Sequence, residues 1–570
     1  MFRASNPQRE LDLFNNFVNQ MDGTRWKKFN DPQSWHNIFF KYVTSQIDEN
    51  ILECLFDKNM GRPNASIRIL VGMMILKEGF GWSDTMLFNQ YDFNIQVMSA
   101  LGLTNTNDSV PSEATYYNLR QALYEHQVKE GEDLMGKLFR NLTKEQAKLF
   151  GVNGTFARMD SKLIGSNICK SSRLQLVIRV LQEFYKDIKC REEFVMLMES
   201  SDQNLLDDLM KKSASQIIYR LDQQGRDNTL RELGYLIARL LKVYTLEHSE
   251  KVGLLLRVFS EQYRVEAGVI ILKDVKELKS DSLQSPYDED AAYRDKNGQQ
   301  VQGFSVNVTE TNNPEGLNLI TDSVVDKANV PNNGFLEDSV KRSQEVVDHI
   351  GQLNTDGAYH SESNREFAEN NGTQIILSGL PGIAGKYAFA EKQVGQIEVT
   401  NTTTGEVQTA VEYKKGKYRI TEEGKPRYFT AAAIMGFFLR EQVAAIPQAL
   451  KNMRNNVEAT IFQMSFTLRN NKTRYRGKFK NQLWAYCRAM WINTRRIEIY
   501  LGELCPDGAI KEKLAEFLAK KSGSLTTITA NLKNWCAQLK ITGQNPFLWN
   551  CFAAFPLISV TSTKRKMDFL

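Results

Sequence analysis

The sequence lacks the cysteine spacings that mark disulfide-stapled domains and zinc sites. Its seven cysteines are scattered, without a C-x-x-C pair or a regular interval, so neither a disulfide framework nor a zinc site is indicated. The opening stretch, "MFRASNPQRELDLF", also lacks the apolar core of a signal peptide. These features predict a reduced compartment, the cytoplasm.

Long apolar runs are missing as well. Stretches such as "IRILVGMMIL" extend for only ten residues, whereas a membrane-spanning helix needs about twenty. We therefore expect no segment that crosses a bilayer and no membrane partner. The chain also shows no internal repeat and no low-complexity tract.

The composition is that of a globular protein with a nearly balanced charge. Of 570 residues, 42% are hydrophobic and 24% are charged, with 72 lysines and arginines against 67 aspartates and glutamates. A chain of this length is expected to divide into roughly three to five units. The charge is unevenly distributed, because "RNNKTRYRGKFK", residues 469–480, contains six basic residues and no acidic one.

Alternating and helical patterns predict an α/β protein with a mixed sheet. Residues 1–150 are expected to be helical, either as a helix-turn-helix that binds DNA or as a plain helical bundle. The predicted units that follow are a first catalytic-core strand at 151–170, a helical insertion at 171–284, more of the core at 285–384, a small β insertion at 385–434, a core helix with the basic segment at 435–500, and a helical tail at 501–570.

Three carboxylates occupy positions with structural meaning. "GTFARMDSKLIGSN" alternates as a strand does and places Asp160 at the predicted strand end. Asp356, in "NTDGAYHSESN", directly follows a later predicted strand, and Glu458 lies on a predicted helix. Helical spacing puts Glu458 on one face with Ile461 and Phe462, where an uncompensated carboxylate would be costly.

Two of these acids also have simpler interpretations. Asp356 and Gly357 form a common turn dipeptide, and Arg454, one helical turn before Glu458, could pair with it as a salt bridge. The combination favours another reading, because a ribonuclease-H-like core holds two Mg²⁺ ions with acids at two strand ends and one on a covering helix. Magnesium prefers oxygen ligands, so no histidine or cysteine is required.

Five segments, in this order, resemble the DDE transposases of bacterial insertion sequences, of the IS1182 type within the IS4/IS5-like assemblage. They are "GRPNASIRILVGMMILKEGFGWSD", "MDSKLIGSNI", "SPYDEDAAYRDKNGQQVQGFSVNVTET", "NTDGAYHSESN" and "RNNVEATIFQM", the last followed by "RYRGK". The similarity extends over about residues 60–500.

The resemblance implies a catalytic triad of Asp160, Asp356 and Glu458 that holds two Mg²⁺ ions, with Mn²⁺ as a substitute, and Asp160 bridging the two. It implies an enzyme that binds the terminal inverted repeats of its element on double-stranded DNA, cuts by metal-dependent hydrolysis and joins the 3′-OH to target DNA. Synapsis of two DNA ends implies a homodimer or a larger assembly.

DNA contacts are predicted for the arginine of the R-x3-E signature and for the basic run, as phosphate contacts joined by stacking of Tyr475 and Phe479. These basic residues are Arg454, Arg469, Lys472, Arg474, Arg476, Lys478 and Lys480. A solvated charged turn is the alternative for the run. The sequence departs from the signature at Ser465, where a basic residue is usual, and at Lys451, where a tyrosine is usual.

The sequence leaves some interpretations open. Tyr359 and His360 are either structural or phosphate-contacting. The whole chain is alternatively a decayed or domesticated relative that binds DNA without cutting it, or another ribonuclease-H-like nuclease such as a junction resolvase. The long helical insertion and the separate N-terminal helices favour a transposase over a resolvase.

Overall fold

A computed structural model describes residues 1–9, 16–57, 60–106, 108, 110–191, 195–244, 249–296, 298–314, 316–380, 385–393, 396–422 and 424–504. The predicted helical tail at 501–570 therefore lies outside the described residues beyond Leu504. No helix in the described ranges is long and apolar enough to span a membrane.

The centre of the molecule is a mixed sheet of six strands. The strands are β1 (Phe156–Gly165), β4 (Ala292–Lys296), β5 (Gln299–Thr311), β6 (Ile320–Lys327), β7 (Gln352–Thr355) and β8 (Gln374–Leu377). Their order is β4-β5-β1-β7-β8, and β6 pairs with β5 beside β4. Strand β5 runs antiparallel to β1, β4 and β6, whereas β1, β7 and β8 run parallel. The predicted mixed α/β architecture is thus confirmed.

A helical insertion separates β1 from β5 in sequence but not in space. It contains α8 (Arg173–Lys189), α9 (Ser200–Met210), α10 (Ala214–Tyr219), α11 (Gln223–Tyr244), α12 (Glu250–Gln262) and the hairpin of β2 (Tyr263–Glu266) and β3 (Val269–Leu272). Its leucine-rich faces close a hydrophobic core of their own. Asp160 lies directly opposite Val308 of β5, so the insertion interrupts two neighbouring strands of one sheet.

A second insertion is a β meander packed on one helix. Strands β9 (Tyr387–Gln393), β10 (Gln396–Asn401), β11 (Val407–Lys414), β12 (Lys417–Glu422) and β13 (Lys425–Thr430) lie side by side in sequence order, and α15 (Ala431–Ala445) follows. Gly405 and Gly416 turn the chain between strands with positive φ angles of 74° and 72°, which glycine adopts without steric cost. The Thr-Gly and Lys-Gly pairs in the sequence therefore mark real turns.

The remaining helices surround the central sheet. In the N-terminal part they are α1 (Gly23–Phe29), α2 (Trp35–Tyr42), α3 (Ile67–Phe80), α4 (Asp84–Phe93), α5 (Ile95–Ala100), α6 (Glu113–Glu130) and α7 (Leu134–Phe150). Later in the chain they are α13 (Leu336–Val347), α14 (Glu362–Asn371), α16 (Gln448–Asn452), α17 (Asn456–Ser465) and α18 (Lys478–Leu504).

The N-terminal helices pack closely against the last described helix, α18. Helix α18 packs against α2, α3, α7 and β6, and its Trp484 and Trp491 join the same hydrophobic core as α3 and strand β5. The sequence pattern of 1–150 reveals its apolar faces but not that a helix more than 300 residues later covers them.

His36 provides a pH-sensitive element in this core. Its side chain is fully buried against Phe29 and makes a 2.9 Å hydrogen bond to the Phe29 carbonyl through Nε2. Burial lowers the pKa of His36 from 6.5 to about 4, because a charged imidazole would lose its hydration there.

We expect acidification to destabilise the protein through His36. Between pH 6.5 and 4 the unfolded chain binds a proton that the folded state excludes, so the free energy of unfolding should fall by about 3 kcal/mol as the pH drops through this window. Urea denaturation of His36→Gln should show a correspondingly smaller loss between pH 7 and pH 4. The exposed His349 offers the control His349→Gln, which should lose as much as the unmodified protein; equal losses in all three would contradict the prediction.

Candidate active site

One face of β1 carries three charged side chains in alternation. Arg158, Asp160 and Lys162 are separated by two residues each, and strand geometry therefore directs them to the same side. Pairing with β5 continues to Gly165. The prediction that Asp160 ends the strand is thus wrong: because the ladder extends five residues further, Asp160 lies in mid-strand beneath α17, which packs on β1.

Asp160 is a largely buried carboxylate held by two donors. Arg454 Nη2 lies 2.8 Å from Asp160 Oδ2, and the Ser161 backbone N–H donates to Oδ1 at 2.8 Å. Only 13% of the Asp160 side chain is exposed. Burial raises the pKa of Asp160, the nearby negative charge of Asp356 raises it further, and Arg454 opposes both.

Asp356 is brought to Asp160 by the parallel pairing of β1 and β7. The pairing ends at Arg158 and Asn354, and Asp356 directly follows the end of β7 at Thr355, near enough for its negative charge to act on Asp160. The Asp356 carboxylate also accepts a 3.0 Å hydrogen bond from the Ala358 N–H and caps the turn at Gly357–Tyr359. Both interpretations of Asp356 are therefore compatible, because this carboxylate forms the turn and also faces the Asp160 charge.

Glu458 lies in the first turn of α17 and points to solvent. Its side chain is 69% exposed, and its Oε1 lies 3.7 Å from Arg454 Nη1. The expectation that its helix face is directed to the core is wrong, since Phe462 on that face is 63% exposed. The buried face is formed instead by Val457, Thr460 and Met464.

The arginine between the acids explains how they are arranged. Arg454 contacts Asp160 with one terminal nitrogen and Glu458 with the other, so it links the strand carboxylate to the helix carboxylate. Within the described part of the chain, no group of three or more acidic, histidine or cysteine side chains is close enough to hold a metal ion. Asp160 and Asp356 offer the oxygen donors that magnesium prefers, while the Arg454 guanidinium lies between Asp160 and Glu458.

A buried ion network, which sequence reasoning missed, fixes α17 on the sheet. Glu310 of β5 has no exposed surface and lies between two arginines: Arg158 Nε is 2.5 Å from Oε1 and Arg496 Nη1 is 2.7 Å from Oε2. Thr460 of α17 donates to the same carboxylate at 2.8 Å, and Arg158 also donates to the Met453 carbonyl at 3.4 Å. The network ends one residue before Arg454.

The charge of Glu310 is maintained by its neighbours. Burial alone would raise its pKa, but Arg496 and Arg158 outweigh that effect, and the pKa of Glu310 is lowered. An ionised carboxylate without solvent contact persists only when it is paired and hydrogen-bonded. The only sequence signal for Glu310 was an acid within the strand "GFSVNVTET", which could not indicate distant arginine partners.

A second arginine of α18, Arg488, contacts the C-terminal part of α17. Arg488 donates to the carbonyls of Glu78 at 3.0 Å and Gly79 at 2.8 Å, near the end of α3, and to the carbonyl of Gln463 in α17. Burial lowers the pKa of Arg488 to about 10. Carbonyls at helix C-termini carry partial negative charge and suit a cation. Helix α18 thus holds the helix that bears Glu458 at two points, Thr460 and Gln463.

The basic run at 469–480 is largely tied into the protein. Arg474 donates to the carbonyls of Gly81 and Trp82, Arg476 to Asn167, and Lys472 to Ile168, and Lys478 pairs with Asp326. Arg469 and Lys480 are exposed. Within the described ranges, the side-chain nitrogens of these two residues have no hydrogen bond or ion pair.

The aromatic residues near the site face the protein. Tyr475 donates to the buried Glu78 carboxylate, and Phe479 packs against Tyr124 and the main core. Their predicted stacking on nucleotide bases is therefore wrong. Tyr359 is fully buried and donates to Asn307 at 2.6 Å, which assigns it a structural role.

The N-terminal helices show similarity to a known family. Residues 27–122, from within α1 to within α6, match the family described as "Transposase domain (DUF772)". The match indicates similarity to a transposase family over these helices. No curated protein and no solved structure matches the chain.

The buried network gives a direct stability prediction. Glu310→Gln leaves Arg158 and Arg496 without a countercharge, and losing one partner of a buried ion pair costs about 3–5 kcal/mol. Urea denaturation should show a loss of this size. Glu337→Gln removes an exposed partner of Lys341 and should cost less than about 1 kcal/mol; similar losses for the two variants would show that the network is not stabilising.

Proposed function

We propose that the protein is a DDE transposase of an insertion sequence, of the IS1182 type. It binds the terminal inverted repeats of its element, cuts the DNA strands and joins the resulting 3′-OH to target DNA. The observation that supports this most directly is the parallel pairing of β1 and β7, which brings Asp356, just after β7, near enough to Asp160 for the two charges to interact. The transposase-domain match of the N-terminal helices supports the same class.

The proposed catalytic core is ribonuclease-H-like. The mixed sheet supports this proposal, because its antiparallel and parallel halves meet at β1, the strand that bears Asp160. The helix that covers this strand bears Glu458. The three acids of the proposed triad thus come from two adjacent strands and one covering helix.

Asp160, Asp356 and Glu458 are the residues that would hold two Mg²⁺ ions, or Mn²⁺ in their place. Bound metal would supply charge stabilisation for displacement at phosphorus. The carboxylates provide oxygen ligands, as magnesium requires. Arg454 pairs with Asp160 through one terminal nitrogen and with Glu458 through the other, and its charge is also suited to a DNA phosphate.

The DNA-binding surface in this proposal includes Arg454 and the basic run at 469–480. Arg469 and Lys480 are its most available charges, because the other four basic residues of the run contact the protein. Phosphate contacts position DNA without reading its sequence. Recognition of the inverted repeats is therefore assigned to the N-terminal helices, and synapsis of two ends to a homodimer or larger assembly. The proposed location is the bacterial cytoplasm.

Cleavage should depend on the Glu458 carboxylate. Glu458→Gln removes an exposed charge, so we expect unchanged folding and DNA affinity but cleavage reduced by several orders of magnitude, because displacement requires both ions in place. Asp356→Asn should give the same loss. The exposed Glu441 of α15 provides the control Glu441→Gln, which should cleave normally.

The assay is cleavage of a duplex bearing the element's own inverted repeat, with Mg²⁺ or Mn²⁺. If cleavage survives Glu458→Gln while thermal stability falls, the carboxylate serves only as the partner of Arg454. If the unmodified protein binds the duplex but never cuts it, the chain is a DNA-binding relative without activity.

Salt dependence should identify the phosphate contacts. Each lost phosphate contact lowers the slope of log affinity against log salt by roughly 0.9, so the double variant Arg469→Ala, Lys480→Ala should lower it by about 2. The triple variant Arg474→Ala, Arg476→Ala, Lys478→Ala should change the slope less and lower the melting temperature, because these side chains contact the protein. If the triple variant lowers the slope more than the double variant does, the DNA contacts Arg474, Arg476 and Lys478 instead.

A further inference from the structure

Lys162 is a partly buried cation beside the acids, and it has no carboxylate partner within the described part of the chain. It follows Asp160 by two residues on the same face of β1. Its Nζ donates to Ser465 Oγ at 2.8 Å, and among the described residues no carboxylate lies close enough to form an ion pair with it. The charge of the ammonium is therefore not balanced within the part of the chain that the structure describes.

This environment is unfavourable for an ammonium group unless an anion completes it. Partial burial removes water from the charge, and one hydroxyl does not compensate for that loss. Ser465 is well placed to orient the ammonium, because its own hydroxyl proton is directed to the carbonyls of Ile461 at 2.9 Å and Phe462 at 3.2 Å. The oxygen that remains accepts from Lys162.

The two other cations next to Asp160, Arg158 on β1 and Arg454 before α17, are already neutralised. Arg158 pairs with Glu310, and Arg454 pairs with Asp160 and Glu458. Lys162 is the exception among them, and it adjoins the carboxylate at the centre of the proposed site. A lysine ammonium binds phosphate as a point charge.

We propose that Lys162 contacts a non-bridging oxygen of a backbone phosphate of the cut strand, at or next to the bond that is broken, and that Ser465 orients it. The inference rests on the proposed function, since it takes DNA as the substrate. Helix α17 has the hydroxyl of Ser465 at the position where the signature usually has a basic residue. Lys162 provides a basic group at this place from β1. It binds and positions the substrate and takes no part in proton transfer.

The experiment uses duplexes of the inverted repeat with a single neutral methylphosphonate at successive positions around the cut. Affinity is measured without divalent metal, and cleavage with Mg²⁺. Lys162→Met keeps the aliphatic stem, Lys162→Arg keeps the charge, and Ser465→Ala removes only the orienting hydroxyl. Lys341→Met, on the exposed face of α13, is the matched control.

One methylphosphonate position should weaken binding by the unmodified protein about 10-fold, the effect expected for one charge-assisted contact. Lys162→Met should bind the natural duplex about 10-fold more weakly and lose nothing further at that position. Lys162→Arg should restore most of the affinity, Ser465→Ala should lose less than Lys162→Met, and Lys341→Met should match the unmodified protein at every position.

Four results would overturn the inference. Equal methylphosphonate profiles for the unmodified protein and Lys162→Met would remove Lys162 from the phosphate contacts. Equal drops in melting temperature for Lys162→Met and Ser465→Ala, with DNA affinity unchanged, would show that the contact between Lys162 and Ser465 only stabilises the position of α17. Normal cleavage by Lys162→Met together with loss of cleavage in Glu458→Gln would reject the role of Lys162 alone. An unmodified protein that neither binds nor cuts the duplex would reject the proposed function as well.

Discussion

The arrangement of the candidate site depends on one buried carboxylate. Glu310 accepts from Arg158 on β1, Arg496 on α18 and Thr460 on α17, so a single side chain connects two strands and two helices. Each participant alone would be costly to bury, and together they satisfy one another. Because the network has one favourable geometry, it sets the position of α17 over β1, and with it the distance between the strand acids and the helix acid.

Helix α18 extends this constraint across the molecule. Its apolar face completes the core shared by the N-terminal helices and the sheet, and its arginines at 488 and 496 hold two points of α17. Movement of the N-terminal helices would therefore displace Glu458 through α18. In the proposed transposase, the elements that recognise a DNA end are in this way mechanically coupled to the elements that cut it, since packed cores transmit displacement rather than absorb it.

Local patterns in the sequence predicted much of the fold. Alternation identified β1, and glycine-bearing turns identified the β insertion, because both signals depend on neighbouring residues. Asp356 was placed correctly after its strand. The orientation of Glu458 was not, since its helix is apolar on more than one side and only packing selects the buried one. Tyr475 was assigned to DNA because a basic run suggests a surface, whereas its partner Glu78 lies almost 400 residues earlier. Contacts of this range leave no local signal.

The alternation on β1 has an evolutionary consequence. Arg158, Asp160 and Lys162 face α17 only because they occupy every second position of a strand paired on both sides. Inserting or deleting one residue before them would turn all three toward the opposite layer at once. Substitutions can therefore change these positions one at a time, but length changes within β1 would remove the whole set together. Natural variation in the length of this protein should accordingly be confined to the two insertions and the loops.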